Sequence, residues 1–172
     1  LTLADIRKPV DSEIKEFQTL FKKAVTSDVS LLNIISAYLL RRKGKQVRPL
    51  FVFLTARMLG NITKSTYTAA SLIELLHTAT LIHDDVVDES YERRGFFSIN
   101  ALWKSTISVL MGDYFLARGL LLSVNNKDYE LLDIVSNAVK EMSEGELLQI
   151  QKSRSLNIDM DTYYEVIRKK TA

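Results

Sequence analysis

The chain has 172 residues, of which 47% are hydrophobic, and its 23 Lys and Arg nearly cancel its 21 Asp and Glu, leaving a net charge of +2. With no basic run interleaved with aromatics, that balance lacks the footprint of a nucleic-acid binder, and the absence of cysteine excludes disulfides and thiolate metal sites. The length suits one domain, 1–172, with a core that needs no staples.

A cysteine-free chain fits a reducing compartment, so a cytoplasmic location is expected. Each long apolar run is interrupted by charge; Ile107 to Val124, for example, contains Asp113 and Arg118. No transmembrane segment or signal peptide is expected.

Two prolines, six glycines and apolar residues recurring every three or four positions predict an all-α chain. After Pro9, the stripe Val10, Ile14, Phe17, Phe21 and Val25 predicts a first helix capped by Asp11 or Ser12. A second helix is expected from Ser30 to Arg42 on Leu31, Ile34, Ile35, Tyr38 and Leu39, stopped by Gly44.

The connection Gly44-Lys45-Gln46-Val47-Arg48-Pro49 places two cations three residues apart, just before a helix that Pro49 can open. Cations at a helix N-terminus make an anion site, because free N–H groups and the helix dipole add to their charge. The bland alternative is a solvated basic loop. That helix is expected to end near Gly60, followed by a long one from Ser65 to Asp88.

Further on come a short helix near Ser98 to Lys104, a longer one from Ser105 to Val124, and a turn at Asn125-Asn126-Lys127. Asp128 can cap the next, which carries Leu131, Leu132, Val135, Val139, Met142 and Leu147. Thr162 and Glu165 form a capping box for a last helix running to Lys170 and Thr171.

Chemistry concentrates in Leu75 to Asn100. An apolar helical run ends in Asp84, Asp85 and Asp88, followed by Arg93-Arg94-Gly95. At about 100° per residue, His77, Asp84 and Asp88 share one helix face and Asp85 lies beside Asp88. Three carboxylates on one turn repel one another unless cations sit among them, and oxygen-only ligands suit a hard ion such as Mg²⁺ shared with phosphate.

Arg93 and Arg94 offer forked donors that match phosphate. The picture is an apolar helical cavity whose mouth binds diphosphates. Glu74 and His77 also form a Glu-x-x-His pair of the di-iron type, but His83 has Thr80 three residues before it, so the second pair which that site requires is missing. His77 alone is open between a satisfied helix histidine and a site residue. His83 reads as structural.

These residues resemble a trans-type isoprenyl diphosphate synthase, a polyprenyl synthetase of the all-helical isoprenoid synthase fold. The resemblance rests on Gly44-Lys45-x-x-Arg48-Pro49, His77, Asp84-Asp85-x-x-Asp88, Arg93-Arg94-Gly95 with Ser98 and Asn100, Gly112-Asp113-Tyr114 with Leu116-Ala117-Arg118, Gly145-Glu146 with Gln149, and Lys170-Thr171. The likeness implies that Asp84, Asp85 and Asp88 hold Mg²⁺ against an allylic diphosphate. It implies that Arg93 and Lys170 bind that diphosphate, with Gln149 in support, while Lys45, Arg48, His77 and Arg94 hold isopentenyl diphosphate.

It further implies head-to-tail condensation of the two, a homodimer, and a product that passes to a membrane. In this family, bulk just upstream of the first acidic motif limits chain length. The small Ala79 and Thr80 therefore predict an all-trans product longer than farnesyl, with a floor around Met111 or Phe115.

The family continues past its Lys-Thr pair into a second aspartate-rich helix, and no second Asp-Asp-x-x-Asp occurs in these 172 residues. The chain is therefore expected to be the N-terminal portion of such a domain, and to be inactive or nearly so alone. Turnover of labelled isopentenyl diphosphate by the purified 172-residue chain would overturn that. The alternatives are a class I terpene cyclase, which would not need Lys45, Arg48, His77 and Arg94, and a non-catalytic subunit of a heteromeric synthase, which tends to lose the first acidic motif.

Overall fold

The computed structural model describes residues 2–41, 44, 46–93, 95–155 and 159–171, without the side chains of Arg93 and Ser155. The helices are α1 (Leu3–Arg7), α2 (Asp11–Ala24), α3 (Ser30–Arg41), α4 (Val47–Leu59), α5 (Lys64–Val87), α6 (Ile99–Asn126), α7 (Tyr129–Ser155) and α8 (Met160–Lys170). The all-α expectation holds, apart from one small antiparallel hairpin of β1 (Glu92–Arg93) and β2 (Phe96–Phe97). The chain divides into two compact units, Leu1–Asp128 and Tyr129–Ala172.

The N-terminus differs from expectation. The chain is already helical at Leu3, where Thr2 and Asp5 form a capping box, and a 3-10 turn at Lys8–Val10 carries Pro9 into α2. Neither Asp11 nor Ser12 caps α2: its N-cap is Val10, without a side-chain bond, because helical backbone already precedes it. Asp11 instead pairs with Arg7 and Lys15, one turn away on either side. The apolar stripe is as expected, with Val10, Ile14, Phe17 and Phe21 buried.

Aromatic contacts tie the stripe to its neighbours. Phe17 meets Phe21 at 5.5 Å and Phe53 of α4 at 5.9 Å, and Phe53 meets Tyr67 of α5 at 5.0 Å. Each such buried side chain stabilises the fold by about 1.5–3 kcal/mol. The Tyr67 hydroxyl donates to Glu16 at 2.7 Å; burial, then that carboxylate, push its phenol up to about 12.

The centre of the first unit is the antiparallel pair α5 and α6. On α5, Thr68, Leu72, Leu75, Ala79 and Ile82 are buried at spacings of three and four residues. Facing them on α6 are Ser108, Met111, Gly112, Phe115, Gly119 and Ser123. Asn126 bonds Thr68 at 2.8 Å, Gly119 lies against Leu72, and Gly112 lies against His83. A Cβ at Gly119 would stand 3.0 Å from the Leu72 Cδ1, so missing side chains let the two backbones approach.

By length and composition α6 could cross a membrane. Here it carries Asp113 and Arg118, and the Arg118 Nε donates to the Ala24 carbonyl at 2.7 Å.

The expected break between Ser98–Lys104 and Ser105–Val124 survives as a kink inside α6. Lys104 sits at φ 70° and ψ 163°, a conformation essentially reserved for glycine, which costs about 1–3 kcal/mol in other residues. Lys104→Gly is therefore expected to stabilise the fold by about 1 kcal/mol, after subtracting glycine's own entropy cost. The check is chemical unfolding against Lys104→Ala, which removes the same charge but keeps the strain; equal stabilities would refute the strain.

In the second unit, α8 starts earlier than its expected capping box. Asp159 is the N-cap and accepts from the Thr162 N–H at 2.7 Å, so Thr162 is the third helical residue and not the cap. Two capping sequences overlap within three residues, and the one led by a carboxylate prevails.

Candidate functional site

The C-terminal turn of α5 holds all three carboxylates. Asp84 and Asp88 are exposed, one turn apart, and Asp85 is 7% exposed. Asp88 is the C-cap, and its N–H still bonds the Asp84 carbonyl at 2.8 Å, so the helical spacing holds to the last residue. No basic residue lies in this last turn. Negative side chains at the negative end of a helix dipole are unfavourable by about 0.3–1 kcal/mol each, so the dipole does not favour acidic residues at this position.

Among the described residues no three His, Asp or Glu side chains close on one point as a finished metal cage. Helix geometry explains this: Asp84 and Asp88 are about 40° apart around the axis, whereas Asp85 is about 100° from Asp84. Two exposed carboxylates with an open solvent side fit a hard cation that keeps most of its waters and shares a phosphate.

The hairpin after α5 is pinned at both ends. The Ser90 N–H bonds the Asp85 carbonyl at 2.9 Å, and the Ser98 hydroxyl donates to the Ser90 carbonyl at 2.7 Å while accepting from the Ala101 N–H as the cap of α6. The Tyr38 hydroxyl donates to the Phe97 carbonyl at 2.8 Å, and its ring meets Trp103 edge-on at 5.2 Å. Gly95, at φ 79°, supplies the left-handed residue the tight turn needs. This fixes the backbone of Arg93 on β1, within a few residues of Asp88.

The hairpin was missed because strands of two residues carry no alternating pattern; the Arg94-Gly95 step was its one signal. Lys45 and Arg94 lie outside the described residues, as does the side chain of Arg93.

Arg48 is exposed on the first turn of α4. Burial pushes the Glu74 carboxyl up, and the nearby Arg48 charge pulls it back, so this guanidinium lies within electrostatic reach of α5 one turn before His77. His77 is half-buried, and its carbonyl accepts from the Thr80 hydroxyl at 3.0 Å. Ala79 is buried in the same core cluster as Met111 and Phe115, and Thr80 is half-buried.

His83 has a setting the sequence does not display. Its ring lies over Gly112, where any Cβ would strike it, and its Nε2 is 3.3 Å from the Val109 carbonyl and 3.4 Å from the Asp113 carboxylate. The structural reading of His83 holds: it locks the residue before Asp84 onto α6.

The second unit has its own cluster. Lys170 Nζ bonds the Gln149 Oε1 at 3.1 Å and pairs with Glu146 at 2.6 Å. The neighbouring Lys169 bonds Glu144 at 2.5 Å and Glu141 at 3.3 Å, and the Glu144 bond holds its ammonium above the usual lysine range. Between them stands Gly145, where a Cβ would lie 2.9 Å from the Lys169 Cβ and 3.0 Å from the Lys170 backbone nitrogen. The glycine lets α8 approach closely enough for its two lysines to straddle α7. Lys169, Glu141 and Glu144 were not singled out from sequence; their signal is the run Glu141, Glu144, Glu146 around a mid-helix glycine, with acids on both flanks of Gly145.

Residues 29–172 match a family model described as polyprenyl synthetase. The chain is 40% identical to the octaprenyl diphosphate synthase of Escherichia coli (strain K12), over 86% of this chain and 46% of that protein. It is 37% identical to the all-trans-nonaprenyl-diphosphate synthase (geranyl-diphosphate specific) of Rhodobacter capsulatus, over 98% of this chain and 52% of that one. Among solved structures it resembles a polyprenyl synthase from Caulobacter crescentus CB15, complexed with calcium and isoprenyl diphosphate, at a TM-score of 0.89 and 33% identity, covering 99% of this chain and 52% of that one. The chain thus spans about half the length of the curated relatives it matches. Since the family match takes in α3 to α8 together with the acidic turn, the hairpin and the Gly145 crossing, the chain belongs to the polyprenyl synthetase family.

Proposed function

We propose that the protein carrying this chain is a Mg²⁺-dependent trans-prenyltransferase. It joins isopentenyl diphosphate head-to-tail to an allylic diphosphate and makes an all-trans polyprenyl diphosphate longer than farnesyl. The observation that carries this is the acidic end of α5, where Asp84 and Asp88 stand exposed one turn apart with the buried Asp85 beside them. The relatives named above as octaprenyl and nonaprenyl synthases support the chain length.

In this reading Asp84 and Asp88, with Asp85 behind them, hold the metal and through it the allylic diphosphate. When bound, Mg²⁺ neutralises charge that develops on the diphosphate as the allylic C–O bond ionises. Arg93 and Lys170 donate to the same leaving group, and Gln149 orients Lys170. Lys45, Arg48, His77 and Arg94 hold isopentenyl diphosphate so that its double bond attacks the allylic cation, after which a proton is lost. Donors in place before charge develops lower the barrier without reorganising.

Both units are parts of one synthase domain. A cytoplasmic homodimer that delivers its product to a membrane belongs to the same proposal; the exposed Leu102, Val109, Leu110, Leu121 and Val124 of α6 are a surface suited to self-association.

The test is product analysis of the full-length protein with labelled isopentenyl diphosphate and farnesyl diphosphate. Chains beyond fifteen carbons are expected, whereas a cyclic product or no elongation refutes the reading. Ala79→Phe is expected to shorten the products, because a buried position 1% exposed has no slack for a ring. Overpacking there costs about 1–3 kcal/mol, so the readout is product distribution and not rate. An unchanged distribution would remove Ala79 from the chain-length role.

A further inference from the structure

Gln46, between the two cations of the Gly44-to-Pro49 connection, has a backbone that its residue type does not favour. It sits at φ 49° and ψ 41°, in the left-handed region, at the N-cap position of α4. An N-cap residue ordinarily has an extended backbone and uses its side chain to bond the first turn. Gln46 does neither.

Its side-chain Oε1 accepts instead from the Gln18 Nε2 at 2.6 Å, in a half-buried bond that reaches back 28 residues to α2. The Gln46 carbonyl still accepts from the Leu50 N–H at 3.1 Å, so the first turn of α4 hangs directly from this strained residue. A cavity of about 240 Å³, lined by Leu3, Ala4, Arg7, Ile14, Gln46 and Leu50, borders the residue on one side.

We infer that Gln18 is a positioning residue for isopentenyl diphosphate, acting through Gln46. Rotation at Gln46 out of the left-handed region would change the direction in which the chain enters α4, and with it the setting of Arg48 on the first turn, two residues on. The bond from Gln18 opposes that rotation. Gln18 lies on α2, outside the 29–172 family match that contains Gln46, so the family match assigns nothing to the donor of the clamp. The inference rests on the proposed prenyltransferase reading for its substrate, but the clamp itself does not.

A double-mutant cycle of Gln18→Ala and Gln46→Gly in the full-length protein tests it, because glycine adopts the left-handed conformation without a clamp. Gln18→Ala alone is expected to raise KM for isopentenyl diphosphate roughly fivefold, about 1 kcal/mol, with the allylic KM unmoved. In the Gln46→Gly background the same substitution should change neither. Thermal midpoints of the four proteins are read alongside, with Gln18→Ala lowering the midpoint only where Gln46 is retained.

Additive midpoints overturn the clamp. Coupled midpoints with an unchanged KM, or with both KM values raised alike, overturn the positioning role. A parent protein that turns over neither diphosphate refutes the prenyltransferase reading and this substrate role with it, while the midpoints still decide the clamp.

Discussion

Asp88→Asn is expected to lower turnover about a thousandfold while leaving the thermal midpoint unchanged or slightly raised. The two effects have one cause. Asp84 and Asp88 are exposed at the negative end of α5, one turn apart, in a turn without a basic residue. Asp88 stands at the negative end of the helix dipole, which disfavours its charge by about 0.3–1 kcal/mol, so replacing it by the amide relieves the fold.

The same removal takes a metal ligand from the proposed leaving-group site, where losing one preorganised electrostatic partner costs about 10²–10³ in rate and a metal contact is worth more. The measurements are kcat at saturating Mg²⁺ and differential scanning calorimetry of the metal-free protein. Loss of activity accompanied by a large fall in midpoint would mean that the carboxylate holds the fold together and does not merely burden it.

Gly112→Ala is expected to have the largest effect on stability. Its Cβ would land on the His83 ring, which is itself held by the Val109 carbonyl and Asp113. Separating α5 from α6 to make room would open the buried seam shared by Leu75, Ala79, Met111 and Phe115. Overpacking of this kind costs about 1–3 kcal/mol, or several degrees in midpoint. Activity should fall with it, since the displaced ring precedes Asp84.

His83→Ala makes room for the methyl group, so Gly112→Ala should cost much less in that background. Equal costs in both backgrounds, read by chemical unfolding, would show that the ring is not the obstacle.

Much of the candidate site is legible along the chain because its parts are local. Asp84, Asp85 and Asp88 occupy one turn, and Lys45 and Arg48 one connection, so spacing alone brings them together. The long helix expected from Ser65 to Asp88 is observed at Lys64–Val87, since 24 residues of periodic apolar signal leave little ambiguity. Short features were not legible: α1 has five residues and each hairpin strand two, below the length at which any period can be read.

By itself, then, the sequence determined the helical class, the buried stripe from Val10 to Phe21, the acidic turn and the chemistry it suits. Those properties depend on residue type and on separations within a few turns. Only the tertiary structure decided that Gln18 holds Gln46, that the His83 ring rests on Gly112, and that Lys170 meets Gln149 across a crossing opened by Gly145. Each of these joins residues on different helices, and a helix constrains the direction of its own side chains without specifying which neighbour they will meet.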